Sequence, residues 1–276
     1  MKIIKISSAY DISDIELFLE LSRSGVVVFR GYDMSEEEQL HLMRKVGEIT
    51  RWYPNTSSQE YHSYVENHAE TLKMRMSDAS NSIHGIGSDD ILVAWHMEHI
   101  GFPNPAVGAS WNMRKFTCSP KNGKTLFVDG AKLYEMLSVD DALFLEKCLF
   151  IENIQNELIS KHPVLCPIRK NWLNTEKVVY LSPNSAGKYA EKLVYAQTFQ
   201  PTDDERERFN QLTKMLIGEI LNNQDIRIVH EWQQFDVLFA DLSRMYHAVT
   251  GGFRPEERLF YGVWALGSKG DTFATP

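Results

Sequence analysis

Two apolar runs, far apart in the chain and each leading to a histidine, constrain this sequence more than anything else in it. Ile91-Leu92-Val93-Ala94 runs into Trp95-His96-Met97-Glu98, and Phe235-Asp236-Val237-Leu238-Phe239-Ala240-Asp241 leads through Leu242-Ser243-Arg244-Met245-Tyr246 to His247. Both runs read as buried strands. Side chains at i and i+2 of a strand share a face, so His96 and Glu98 can point the same way, and a histidine on a neighbouring strand can join them. A fold that uses all three must bring the middle and the end of the chain side by side in a sheet. That points to a mainly β architecture with flanking helices.

Chance has to be weighed first. With 9 His and 37 acidic residues, about one His-x-Asp/Glu is expected from composition alone. The chain holds a second such string, His68-Ala69-Glu70, in the polar stretch Glu66 to Thr71, where no alternation surrounds it and a solvated edge is the natural reading. His96-Met97-Glu98 follows a buried run, where an unpaired carboxylate is costly, so Glu98 needs a partner. A surface histidine in an ordinary salt bridge is the competing reading. Two histidines and a carboxylate on one face form the facial triad of non-heme Fe(II) oxygenases, which leaves coordination positions open. Beyond His247, Gly251-Gly252 and Pro255 mark a turn and Arg258 to Trp264 reads as a returning strand, so the segment is expected to be a hairpin. Arg258 would then bring a permanently charged, fork-shaped donor near the metal, suited to a two-point grip on an acidic co-substrate. The alternative is a surface arginine paired with Glu256 or Glu257.

These residues, together with others in the same order, resemble the taurine dioxygenase/TfdA-like branch of Fe(II)- and 2-oxoglutarate-dependent oxygenases, which includes clavaminate synthase-like enzymes. Gly25-Val26-Val27-Val28-Phe29-Arg30-Gly31 before a helix resembles the family's opening. Gly123-Lys124-Thr125-Leu126-Phe127-Val128-Asp129 with Tyr134-Glu135-Met136-Leu137-Ser138 is similar to a second segment, and His162-Pro163-Val164 with Val178-Val179-Tyr180-Leu181 to a third. The resemblance implies that His96, Glu98 and His247 are the catalytic metal ligands and hold Fe(II). It also implies that Arg258 grips the distal carboxylate of 2-oxoglutarate, that Thr125 adds a hydroxyl to it, and that O₂ is the oxidant. It implies a distorted double-stranded β-helix, a jelly roll of two sheets with helices outside and the metal between the sheets at the open end.

Departures from the pattern bear on substrate. Glu98 stands where taurine dioxygenase has Asp and, like Arg244, resembles the amino-acid-hydroxylating clavaminate synthase-like members, whereas the eleven-residue step from His247 to Arg258 is taurine dioxygenase-like. Gly262 stands where taurine dioxygenase carries the arginine that meets its sulfonate. The substrate expected is therefore a small polar molecule such as an amino acid or derivative, hydroxylated at an unactivated C–H. Because the carboxylate ligand is present, hydroxylation is expected over halogenation. Two other classes stay open: a His₂Glu zinc hydrolase, in which Arg258 has no role, and a non-catalytic jelly roll that binds a ligand.

A chain of 276 residues suffices for one catalytic domain with a large core. Its net charge of -8 argues against wrapping nucleic acid. No run approaches the roughly 18 apolar residues of a membrane span, and the start of the chain lacks a secretory leader. Cys118, Cys148 and Cys166 suggest neither a disulfide framework nor a zinc knuckle, so a reducing cytoplasm fits. The partner expected is a small molecule, with no nucleic acid and no membrane; a homo-oligomer stays open. Helices are expected at Asp14 to Ser24, at Glu36 to Gly47 behind a Ser35/Glu38 capping box, at Ala131 to Leu137, at Asp140 to Lys147, and from Thr202-x-x-Glu205 to Asn222. Strands are expected at Val26 to Arg30, Gly108 to Cys118 and Leu126 to Asp129. The polar stretch Arg51 to Asp90 reads either as a long loop of the kind that forms lids or, equally, as an irregular surface excursion that includes a short hairpin around Tyr61 and Tyr64. Asn112, Arg75, Arg254 and Asn184 are polar letters that could line a pocket, though such residues are mostly exposed.

Overall fold

The computed structural model describes residues 1–6, 8–9, 12–50, 65–67, 72–75, 91–98, 100, 105–151, 164–183, 193–195 and 201–266. In chain order the strands are β1 (Lys2–Lys5), β2 (Val26–Arg30), β3 (Glu48–Thr50), β4 (Val65–Asn67), β5 (Leu72–Arg75), β6 (Ile91–His96), β7 (Ala106–Phe116), β8 (Thr125–Asp129), β9 (Cys148–Ile151), β10 (Val164–Leu165), β11 (Ile168–Lys170), β12 (Lys177–Val179), β13 (Leu193–Tyr195), β14 (Arg227–His230), β15 (Val237–Asp241), β16 (Met245–Thr250) and β17 (Arg258–Leu266). The helices are α1 (Asp14–Ser24), α2 (Glu36–Val46), α3 (Gly130–Glu135), α4 (Val139–Lys147) and α5 (Asp203–Asn222). None of the described helices is long and apolar enough to cross a membrane.

Both expected capping boxes form. Ser35 Oγ accepts from Glu38 N and the Glu38 carboxylate accepts from Ser35 N, and Thr202 and Glu205 repeat the exchange at α5. Each box satisfies two amides that a helix start otherwise leaves unpaired. Helix α1 ends at Gly25, whose φ of 67° lies in the left-handed region that glycine enters without a Cβ penalty.

Two sheets carry the fold. The larger runs β1-β2-β15-β7-β17-β5-β4, with β3 also on β17, and the smaller runs β14-β8-β16-β6. Apart from the parallel β1–β2 pair the neighbours are antiparallel. Period-two alternation sorts every strand between layers. On β2 and β15, Val27, Phe29, Val237 and Phe239 face the core under α1 and α2, whereas Val26, Val28, Leu238 and Ala240 face the smaller sheet. Trp111, Phe260 and Trp264 of the larger sheet meet Phe127 and Met245 of the smaller one in that middle layer. The outer face of the smaller sheet, through Leu126, Val128, Tyr246 and Ala248, packs on Phe209, Leu212, Leu216, Ile217 and Ile220 of α5. Phe209, Leu212, Leu216 and Ile220 recur in the sequence at the helical spacing that marks a buried stripe, and Ile217 joins them in the structure. The result is the distorted double-stranded β-helix, mainly β with helices outside.

Three expectations are corrected. First, β16 and β17 are not a hairpin: β16 pairs with β8 and β6, and β17 with β7 in the opposite sheet. The glycines and proline between them turn the chain across the interior from one sheet to the other. Secondly, β6 ends at His96, and Glu98 sits in the turn just beyond it. Thirdly, the stretch from 51 to 90 is not all loop, because β4 and β5 pair with each other and β5 extends the larger sheet at β17; its remaining residues, with the His68-Ala69-Glu70 string, lie outside the described residues.

Candidate active site

Strand parity builds the three-residue cluster. Trp95 and Met97 turn outward into the core beneath α5, which sends His96 and Glu98 to the inner side. On β16, Tyr246 and Ala248 turn outward and His247 inward. His96 and His247 are direct cross-strand partners, and their ring centroids lie 4.1 Å apart. The Glu98 carboxylate closes the triangle, with Oε1 3.8 Å from His96 Nε2 and 3.7 Å from His247 Nε2. Among the described residues this is the one group of three or more His, Cys, Asp or Glu side chains whose ligand atoms converge, all within 4.8 Å of one another. Three ligand atoms each about 2.1 Å from a common ion and sharing one face of it lie about 3.0 Å apart. Both Glu98–histidine separations exceed that by under an ångström, so the side chains must draw in to hold an ion, and the donor types suit Fe(II) with further positions open.

The surroundings prepare these donors. His96 Nδ1 donates to the Ala94 carbonyl at 2.7 Å, which fixes the tautomer and leaves Nε2 free to ligate. Burial opposes ionisation of Glu98, but the two facing imidazoles, His247 and His96, outweigh it and hold the carboxyl well below its ordinary pKa. Burial also works against a charge on His96, where Glu98 overcomes it and raises the pKa; at His247 burial, then the neighbouring His96, keep the pKa low. Trp111 and Phe127 lie against His247, with ring centroids at 5.4 and 6.2 Å, and shield that side from water. The His96 side chain is 29% exposed against 5% for His247, so the open approach is past His96.

Arg258 begins β17 and shares a face with Phe260 and Trp264, both in the layer between the sheets. It is 2% exposed, pairs with neither Glu256 nor Glu257, and its Nε and Nη1 have no hydrogen-bond partner. The guanidinium instead lies among the rings of Trp232, Phe253 and Phe260, 5.4–5.6 Å from each centroid. Burial lowers its pKa to about 10, so it stays charged at neutral pH. A buried cation with unused donors is costly unless an anion meets it. Thr125 is buried on β8, where its Oγ1 accepts from Trp232 Nε1 at 2.9 Å; its own hydroxyl proton remains available to a ligand.

The sequence reading missed Trp232 and its neighbour His230. They sit two apart at the end of β14, the same i, i+2 spacing as His96 and Glu98, and that repetition was the available signal. Asp236 and Arg30 support them: Arg30 Nε and Nη2 donate to Asp236 at 2.8 and 2.7 Å, and His230 Nε2 lies 3.3 Å from the same carboxylate.

Other candidates do not line the interior. Arg244 is locked in the scaffold, forked onto Asp129 at 2.8 and 2.6 Å and bonded to Ser22 O and Glu176. Asn112 points to the helix side and donates to Met34 O, and Arg254 is exposed in the turn before β17. The side chain of Arg75, and Asn184 altogether, lie outside the described residues. Gly262 pairs with Trp111, and a Cβ there would lie 2.5 Å from the Trp264 indole: the ring covers the position from which a longer side chain would project.

A family model described as taurine catabolism dioxygenase TauD, TfdA family matches residues 4–264. No curated protein gives a significant sequence match. Among solved structures, a taurine dioxygenase from Burkholderia xenovorans superposes with a TM-score of 0.63 at 18% identity, covering 92% of this chain and 81% of that one. A second chain from that organism, assigned as an alpha-ketoglutarate-dependent taurine dioxygenase, gives 0.63 and 18% over 92% and 80% of the two chains. AAD-2 in complex with Mn(II) and N-oxalylglycine gives 0.69 at 15% identity over 96% of this chain and 94% of that one.

Proposed function

We infer what the chain does from a premise that the family match supplies: it belongs to the TauD, TfdA family of dioxygenases. It is a 2-oxoglutarate-dependent dioxygenase that uses Fe(II), 2-oxoglutarate and O₂. In our reading His96, Glu98 and His247 hold the iron, Arg258 and Thr125 take the distal carboxylate of 2-oxoglutarate, and residues 1–276 act as one catalytic domain. Arg258 carries this reading. A zinc hydrolase gives no reason to bury an arginine with two unpartnered nitrogens, whereas a dicarboxylate supplies the missing acceptors, and the family match sets the oxygenase above a non-catalytic jelly roll that binds such an anion.

When bound, the iron couples oxidative decarboxylation of 2-oxoglutarate to insertion of one oxygen atom into a substrate C–H bond. The chain's own contribution is positional. The Ala94 carbonyl fixes the His96 tautomer, Glu98 is held ionised as an anionic ligand, and Trp111 and Phe127 exclude water on the His247 side. Arg258 and Thr125 set where the co-substrate lies.

We propose that the reaction is hydroxylation of a small polar molecule such as an amino acid or derivative. Glu98 in place of Asp supports this reading. The glycine at 262, roofed by Trp264, speaks against a sulfonate, because the inner wall there offers indole rather than a cation. Arg244 no longer supports it, being consumed by Asp129. Two measurements test the proposal. Anaerobic addition of Fe(II) and then 2-oxoglutarate should develop a visible charge-transfer band, which a zinc hydrolase or binding protein would not show. Succinate release should then be stimulated by members of an amino-acid panel; turnover confined to sulfonates would overturn the substrate reading.

A further inference from the structure

We propose that His230 is a positioning residue for the acid pocket: it packs edge-on against the Trp232 ring that Arg258 also contacts, and takes up a proton when the dicarboxylate binds. This rests on the reading of Arg258 as the 2-oxoglutarate anchor. His230 is fully buried and directly opposite Thr125 in the β14–β8 pair. Its ring stands edge-on to Trp232, with centroids 4.4 Å apart at 82°. The same indole donates to Thr125 and lies under Arg258. One aromatic ring thus touches all three polar groups of the pocket.

The scaffold does not account for a histidine here. Asp236 already accepts both nitrogens of Arg30 and the amide of Gln233 at 2.9 Å, so its charge is satisfied without His230. Neither ring nitrogen has a hydrogen-bond partner, Nε2 only approaching the Asp236 carboxylate at 3.3 Å, a cost an apolar residue would avoid.

The charged groups that act on the ring are Asp236, with Arg30 forked onto it, and Arg258. In the free protein burial dominates, and the two guanidinium groups oppose the pull of Asp236, so the pKa falls below its ordinary value and the ring is neutral at pH 7. A carboxylate seated on Arg258 offsets one of those two cations. The balance then favours the imidazolium, so binding draws one proton from solvent onto His230 and no other bond changes. Affinity for the dicarboxylate accordingly rises as pH falls below neutrality.

Calorimetry of 2-oxoglutarate binding to the anaerobic Fe(II) protein, in buffers of different ionisation enthalpy, reads the proton directly. The wild type should take up a fraction of a proton near pH 7. His230→Gln keeps a polar contact to Asp236 but cannot titrate; it should abolish the uptake, flatten the pH dependence between pH 6 and 7.5, and weaken binding on the order of tenfold. His230→Phe serves as a second variant, expected to behave in the same way. Imidazole titration by NMR in the Zn(II)-loaded wild type, with and without 2-oxoglutarate, needs no variant and should show the His230 pKa raised by the ligand. Proton uptake that survives in His230→Gln, or a His230 pKa unmoved by ligand, overturns the proposal. Failure of the wild type to bind 2-oxoglutarate at all overturns the reading beneath it as well, and so tells the two failures apart.

Discussion

Replacing Arg258 with methionine should stabilise the ligand-free protein while removing its hold on 2-oxoglutarate. The first half follows from burial. A guanidinium whose pKa falls from 12.5 to about 10 is charged at neutral pH at a cost of about 3 kcal/mol, at 1.36 kcal/mol per unit. The contacts with Trp232, Phe253 and Phe260 return roughly 0.5–2 kcal/mol of this. Methionine fills the space of the arginine stem and carries no charge. That leaves about 1–2.5 kcal/mol, so the metal-free variant should melt roughly 2–10 °C higher than the wild type, at roughly 2–4 °C per kcal/mol for a domain of this size. The second half follows from the ligand. Truncating one partner of a buried, hydrogen-bonded charge pair costs about 2–5 kcal/mol, so 2-oxoglutarate should bind at least roughly 30-fold more weakly. Scanning calorimetry of the metal-free protein and titration of the charge-transfer band measure the two effects separately. A variant that melts several degrees lower yet binds 2-oxoglutarate within threefold of wild type would refute the reasoning, because Arg258 would then be a structural cation.

Three further outcomes are expected. Gly262→Ala places a Cβ 2.5 Å from the Trp264 ring, and the overpacking should cost about 1–3 kcal/mol in urea unfolding; an unchanged midpoint would mean that the indole moves freely. Arg244→Met strands the buried Asp129 carboxylate that its guanidinium forks onto and should lower unfolding free energy by about 3–5 kcal/mol, while the KM for the substrate of the fully folded enzyme stays within twofold; a large change in KM with intact stability would return Arg244 to the pocket. Burial raises the Cys118 thiol to about 11 and Cys148 to about 12, which disfavours the thiolate. At pH 8 Cys118 should thus be alkylated about a hundredfold more slowly than a thiol of ordinary pKa near 9, gaining tenfold per pH unit up to about pH 11. Peptide mass spectrometry after iodoacetamide treatment follows this, and rapid labelling at pH 8 would contradict it.

The sequence displays strand faces clearly and strand partners poorly. Trp95 and Met97 against His96 and Glu98, or Tyr246 and Ala248 against His247, sort by parity alone, because a buried sheet face tolerates little else. Helix starts at Ser35 and Thr202 are equally legible, since the capping interaction is local. Pairing is not local. Gly251-Gly252 and Pro255 are the letters of a hairpin turn, and they serve just as well to carry the chain from β16 across the interior to β17, so the expected hairpin became a crossing. Arg244 failed for a related reason: its position in the string pointed to a substrate role, and only the fold shows that Asp129 holds it. Trp232 and His230 escaped notice because their meaning depends on Arg258, which arrives from the opposite sheet.

That crossing brings the two halves of the proposed site together from opposite sheets. The three candidate ligands lie at the smaller sheet and Arg258 on the larger one, so the distance from metal to guanidinium is a property of sheet packing, about 10 Å between layers, rather than of any loop. Trp111 and Phe127 help to fill that layer and resist its compression. Trp232 then ties the two sheets together at the far end, donating to Thr125 on one side and lying under Arg258 on the other. In the proposed reading the co-substrate reaches from an iron held by these ligands to that guanidinium, and a dicarboxylate one carbon shorter than 2-oxoglutarate is expected to bind more weakly because it would satisfy one end at the expense of the other. On that reading the pair of sheets, set by alternating apolar residues, would act as the ruler for the acid.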